Sequence, residues 1–247
     1  MSDLTFIGMV FETTIIIIAA IVLALILMKY FQKKHQLTLY LFLIFLFYLV
    51  AIIFSWLSKI LVLYSGVEYI YNTTLPDPGT LLSWFVLRIT DFRFSFFFLT
   101  IAIFISYILK VNVFEKGYNR VHKIIVIIYG IITMAYSLLV YERGNTLVDA
   151  GAFLLIFLYM AMIYIPFFIS SYKSFTLAQG KTFKNAFISL ALMSVFYILV
   201  PFNFLIDRLM ILFGGSGFSL FYFLAWIFVL CGMIASYFGY IRPKASE

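Results

Sequence analysis

Several ionisable side chains stand at the edges of long apolar runs, and these are the first residues whose types could do chemistry. Arg88, Asp91 and Arg93 head a run of Phe, Ile and Leu, Lys59 closes another, and Asp207 with Arg208 closes a third. A charge inside a bilayer is costly unless it is paired, hydrated or snorkelled, so such residues mark ligand sites, ion paths or wet helix ends. At about 100° per residue Arg88 and Asp91 share a helix face that Ser95 continues, while Arg93 points away from Asp91 by about 160°. On this reading Arg88, Asp91, Lys59 and Asp207 converge into a polar network that lines a cavity beside Ser95. Arg93 is a separate interfacial arginine that snorkels to water. The alternative is that all of these charges reach water and headgroups independently. A second constellation is Tyr197, Pro201 and Phe204. Proline removes a backbone hydrogen bond and kinks a helix, so a kinked helix carrying one aromatic a turn to either side forms a pocket wall or a hinge. The alternative there is ordinary membrane-helix proline and aromatic packing.

The elements that must position these residues follow from composition. Of 247 residues 65% are hydrophobic and 11% charged, with 31 Phe and 18 Tyr. Soluble domains carry about a quarter charged residues, so the chain reads as an integral membrane protein. About 20 apolar residues in a helix cross a bilayer. That length predicts seven spans at 13–32, 37–63, 81–109, 121–141, 149–172, 185–212 and 217–241, forming one domain over 1–247. The first run is too long for a signal peptide, lacks a basic flank and is followed by six more. Twelve of the 17 Lys and Arg fall on the connections after the first, third and fifth spans and on the tail. Asp3, Glu12, Glu68, Asp77, Glu142, Asp149 and Asp207 fall on the other side. Short Lys- and Arg-rich loops stay cytoplasmic, so the expected topology is N-terminus outside and C-terminus inside, in the cell membrane. The net charge of +7 is then a topology signal and a contact for anionic lipid, not a footprint for nucleic acid.

The connections are too short for further domains, and the six residues after Ile241 are too few for an output domain. Asn72-Thr73-Thr74 matches a glycosylation acceptor in the longest loop. Pro166 and Pro201 have no counterparts in the first three spans, which speaks against a transporter built from two repeats. Catalysis is not expected. Cys231 is the single cysteine, and with two His it makes no metal set. His35 and His122 lie at the lysine-rich surface, far from any Ser nucleophile. No Asp, Glu, Lys, Arg or His occurs within 94–109, 124–141 or 150–172, whereas ion-coupled transport normally uses carboxylates through the membrane.

Two of these patterns resemble microbial rhodopsins. Arg88-Ile89-Thr90-Asp91-Phe92 with Ser95 is similar to the Arg, Asp, aromatic and hydroxyl of that family's third helix. Tyr197, Pro201 and Phe204 are similar to the aromatic box of its sixth helix, and length, span number and expected orientation agree. The resemblance implies a seven-helix bundle with an internal ligand site. The family holds retinal through a lysine of the seventh helix, and 218–241 contains neither Lys nor Asp. The resemblance therefore implies no covalent retinal here, leaving room for a non-covalent lipid or isoprenoid. Asp-Arg-Tyr of G-protein-coupled receptors is absent; Ser106-Tyr107-Ile108-Leu109-Lys110 stands in its place.

The expected protein is an all-α, seven-transmembrane bundle without catalysis. It is receptor-like or sensory, binding an apolar ligand or a membrane partner. A passive channel or transporter, and a structural subunit that forms homo-oligomers, are the alternatives. A water path past Thr100 and Ser106 would mark conduction, and a pocket open from outside and closed below by aromatics would mark binding.

Overall fold

A computed structural model describes residues 2–67, 79–115, 117, 119–142, 144–215 and 217–241. The glycosylation acceptor Asn72-Thr73-Thr74, the basic residues Lys116, Arg242 and Lys244, and the acidic Glu68 and Asp77 lie outside the described residues. The elements are α1 (Ser2–Lys33), α2 (Gln36–Tyr64), α3 (Leu81–Thr90), α4 (Arg93–Phe114), α5 (Arg120–Leu139), α6 (Thr146–Leu177), α7 (Lys181–Leu212) and α8 (Leu220–Ser236). A π-helical turn, Tyr237–Ile241, continues α8. No strand occurs among the described residues. Seven of the helices are long and apolar enough to cross a membrane, and α3 is the short exception. Helices satisfy every backbone group internally, which hydrocarbon requires.

Polar residues start the helices where the apolar runs begin. Asn119 accepts hydrogen bonds from the Val121 and His122 amides, and Asn145 does the same for Leu147 and Val148. Thr80 accepts from the Ser83 amide. Each caps amides that the first turn leaves free.

The helices close into a ring. α1 packs on α2 and α8, α2 on α4, α4 on α5 and α6, α6 on α7, and α7 on α8. α4 and α6 are the most buried of the long helices, and α1 and α5 expose most of their surface. Exposed Ile and Leu such as Ile17, Ile21, Ile128 and Ile131 are what a lipid-facing surface needs. The connections that carry most of the lysines alternate with acidic ones, so the bundle has a lysine-rich end and an acidic end where α1 begins.

Two boundaries differ from the sequence expectation, and both matter for the site. α1 begins at Ser2, not at residue 13. Glu12 is thus about three turns inside a helix and not on its flank. The span expected at 81–109 is interrupted at Asp91 and Phe92. Phe92 adopts φ 61°, a left-handed conformation unusual for a bulky residue. The helix restarts at once, with the Phe96 amide donating to the Phe92 carbonyl at 3.0 Å. This break changes the angular phase between Arg88 and everything after it.

Candidate functional site

A cavity of about 110 Å³ lies at the centre of the ring, between α2, α4, α6, α7 and α8. Its walls are mostly apolar: Ala51 and Ile52 from α2, Phe96 and Leu99 from α4, Phe153 and Met160 from α6. α7 contributes Tyr197, Pro201 and Phe204, and α8 contributes Trp226 and Met233. Pro201 lies within α7 and cannot donate to the Tyr197 carbonyl. The Phe204 ring meets the Trp226 ring edge-on at 5.5 Å. Gly232 lets α8 approach this wall, since a Cβ there would stand 2.5 Å from Tyr197 Cε1. The volume is of the order of the ~150 Å³ engineered apolar cavity that stays dry and takes benzene.

Towards the acidic end the cavity is roofed by charge. Lys59 of α2 and Glu12 of α1 are both wholly buried and lie 2.8 Å apart, Nζ to Oε1. Lys59 also donates to the Ser55 carbonyl at 3.1 Å and to Ser55 Oγ at 3.2 Å. Glu12 Oε1 further accepts from Ser55 Oγ at 2.9 Å and from the Tyr222 hydroxyl at 2.7 Å. The pair therefore ties α1, α2 and α8 together. Lys59 stands 4.9 Å from the centre of the Phe92 ring and 5.4 Å from that of Tyr222. Three donors on the ammonium, a Glu12 Oε1 that accepts three hydrogen bonds and the aromatic faces reduce the desolvation cost of both ions. Glu12 Oε2 is buried with no hydrogen-bond partner among the described residues.

The Phe92 ring is shared. The Arg208 guanidinium lies 5.1 Å from its centre and 5.0 Å from that of Phe153. The strained backbone at Phe92 thus holds one ring against two cations from different helices, α2 and α7. Strain at a bulky residue in this conformation costs on the order of 1–3 kcal/mol and persists where the surroundings over-determine it.

The site residues singled out in the sequence fall into separate groups. Ser95, Asp207, Tyr197, Pro201 and Phe204 all line the cavity. Lys59 sits behind its roof, bound to Glu12. Asp207 accepts from the Ser219 amide at 2.8 Å and so caps the start of α8. Arg88 and Asp91 are outside the cavity lining and do not form an ion pair with each other. Arg88 donates to the Leu138 carbonyl at 2.7 Å and the Trp84 carbonyl at 3.2 Å, and stacks on Trp84. It fastens α3 to the end of α5. Asp91 lies within electrostatic reach of Asp149, Arg93 and Arg208. The single network of Arg88, Asp91, Lys59 and Asp207 does not form, because Arg88, Lys59 and Asp207 each engage other partners, while the break at Phe92 turns Ser95 off the face that Arg88 and Asp91 begin. Arg93 does not snorkel either. Its side chain is completely buried and pairs with Asp149 of α6.

Below the cavity the polar groups are neutral. Tyr48 and Tyr164 share a hydrogen bond of 2.7 Å, and the Tyr164 hydroxyl donates to Ser106 at 2.9 Å. Tyr197 and Ser236 are 3.2 Å apart, oxygen to oxygen, and Ser236 returns its proton to the Gly232 carbonyl at 2.8 Å. One end of the cavity is thus ionic and the other is a floor of phenols and hydroxyls. Such a space suits a molecule with an apolar body and one polar end. Among the described residues no three His, Cys, Asp or Glu side chains gather as a metal-binding group.

Phe92, Arg208 and Tyr222 line this end with Glu12 behind them; Glu12 and Tyr222 are not sequence candidates, and Arg208 and Phe92 enter the sequence reading without a place in the network. Glu12 carries the one usable signal, a carboxylate followed by Thr13, Thr14 and a long Ile and Ala run. Comparison of the chain with protein-family models, with curated proteins and with solved structures finds no match in any of the three, so its functional reading rests on this geometry.

Proposed function

We propose that the protein is a receptor-like or sensory membrane module that holds a small apolar ligand, non-covalently, in the central cavity. The observation that carries the reading is the central space of about 110 Å³ walled by Phe96, Phe153, Phe204 and Trp226. A packed membrane bundle has no need of such a void, since its lining forfeits dispersion contacts that a ligand would restore. The kinked α7 supplies one wall and touches α8 through Tyr197, Gly232 and Ser236, so occupancy of the cavity bears directly on how these two helices pack. The lysine-rich end is read as cytoplasmic and the acidic end as external, in the cell membrane, from the distribution of Lys and Arg. We assign no catalytic role. The kinship with rhodopsins implied by two short motifs is not needed for this reading.

Conduction is the competing function, and two hydroxyls weigh against it. Thr100 is fully buried and donates to the Phe96 carbonyl at 2.7 Å. Ser106 donates to the Ala102 carbonyl at 2.9 Å. Both turn their protons to their own helix.

The test is lipid extraction and mass spectrometry of the purified full chain, paired with thermal unfolding in the presence of added apolar compounds. A bound molecule, or stabilisation of about 2.7 kcal/mol at a hundredfold excess over Kd, is expected for the wild type. Ala51→Phe, which fills the cavity from α2, should abolish both while leaving the helical content unchanged. A preparation that carries nothing and that no apolar compound stabilises would overturn the proposal.

A further inference from the structure

Among the described residues Arg208 is a cation of the cavity lining with no carboxylate in direct contact, although Asp91 and Asp149 lie within its electrostatic reach. Lys59 is taken by Glu12 and Ser55, Arg93 by Asp149, and Arg88 by the carbonyls of Leu138 and Trp84. Arg208 lines the cavity. Its guanidinium lies over the Phe92 and Phe153 rings, and among the described residues no carboxylate stands within ion-pair distance of it. Aromatic contacts do not use up the five N–H donors of a guanidinium, whose fork matches a carboxylate.

We propose that the ligand is a single-chain amphiphile with a carboxylate head, seated on Arg208, with its chain in the aromatic cavity. The proposal rests on the cavity-binding reading above and names the ligand class. Asp207 refines it. Its carboxylate also lines the cavity and is held at the α8 cap by the Ser219 amide. A second negative charge so close penalises a doubly charged phosphate far more than a monoanion. The volume sets the length of the chain: a space of about 110 Å³, below the ~150 Å³ that takes benzene, suits a short chain of about four carbons. Opposite the head lies the neutral floor formed by Tyr48 and Tyr197, which offers an acyl end no charge.

The experiment compares butyrate with butanol, which share a chain and differ in the charged head. Binding to the full chain in nanodiscs is measured by calorimetry, with empty nanodiscs subtracted. The wild type should bind butyrate about tenfold or more tightly than butanol, the worth of a charge-assisted hydrogen bond. Arg208→Gln should remove that preference, bringing the two affinities to within about twofold of each other, while Arg208→Lys, which keeps charge but not the fork, should retain part of it. Equal affinity of the wild type for acid and alcohol would overturn the head-group assignment and leave the cavity reading standing. A preference for the acid that survives in Arg208→Gln would overturn Arg208 as its seat. Binding of neither compound would overturn both readings together. The wild-type comparison decides the head-group chemistry even if Arg208→Gln fails to fold.

Discussion

Two Lys–Glu pairs stand at opposite ends of the bundle and do different work. Lys59 and Glu12 come from different helices, and both side chains are 0% exposed. Lys110 and Glu115 lie five residues apart at the end of α4, with side chains 5% and 28% exposed. The first pair has no route to water, so each ion depends wholly on the other and on Ser55 and Tyr222. In the second, Glu115 sits just past the last residue of α4 and can turn to solvent. Identical chemistry thus serves as a tie between three helices in one place and as a local helix-end contact in the other. Arg93 and Asp149, 0% and 19% exposed, fall between, bridging α4 and α6. The three pairs form a graded series in which burial of the acidic partner, and not the pairing itself, should set the cost of removing the base.

The largest effect is expected at the fully buried pair. Lys59→Met strands the Glu12 carboxylate, and breaking such a pair costs roughly 3–5 kcal/mol. Unfolding in mixed micelles by a denaturing detergent measures it. Replacing both partners, Glu12→Leu with Lys59→Met, should recover most of the loss, since an apolar substitute for a buried pair is often neutral or stabilising. Tyr222 and Ser55 would then lose an acceptor, which caps the recovery. A single variant within about 1 kcal/mol of wild type would show that the pair behaves as a surface pair and would erase the contrast between the two ends.

The seven crossings were legible because hydrocarbon excludes charge over windows of about 20 residues, a constraint that acts locally along the chain. Tyr197, Pro201 and Phe204 could be picked out for the same reason: a proline and two aromatics one turn apart belong to a single helix, and all three stand on the cavity wall. Glu12 and Lys59 could not be matched, because a contact between neighbouring helices leaves no local spacing to read. The continuation from Arg88 and Asp91 to Ser95 and Arg93 was misread by helical-wheel arithmetic that holds only while the helix continues. Nothing in Thr90-Asp91-Phe92-Arg93 marks a break, since neither Gly nor Pro is present. The left-handed turn at Phe92 is a tertiary effect, held by Lys59 and Arg208 around its ring, so it became visible only with the packed neighbours.

The intermediate pair sharpens the series. Arg93→Met leaves Asp149 partly exposed near Arg208, whose charge also reaches it, so the loss should be about 2 kcal/mol, between the surface and buried limits. The same unfolding measurement checks it. A loss equal to that of Lys59→Met would mean that bridging two helices matters more than exposure of the acid.

The smallest effect belongs to Lys110→Met, expected to cost at most about 1 kcal/mol. Lys110 is itself buried against the bundle, so by the exposure of the base alone it resembles Lys59 and Arg93. The distinction lies in what is left behind. Without Lys110, the Glu115 carboxylate needs only a small rotation about its own side chain to reach water, and no second helix is released. Methionine keeps the apolar stem in place, so the packing of α4 is preserved and the measured loss isolates the charge contact. A cost of 3 kcal/mol or more here would make burial of the base the governing variable, and the ranking of all three pairs would have to be redrawn on that basis.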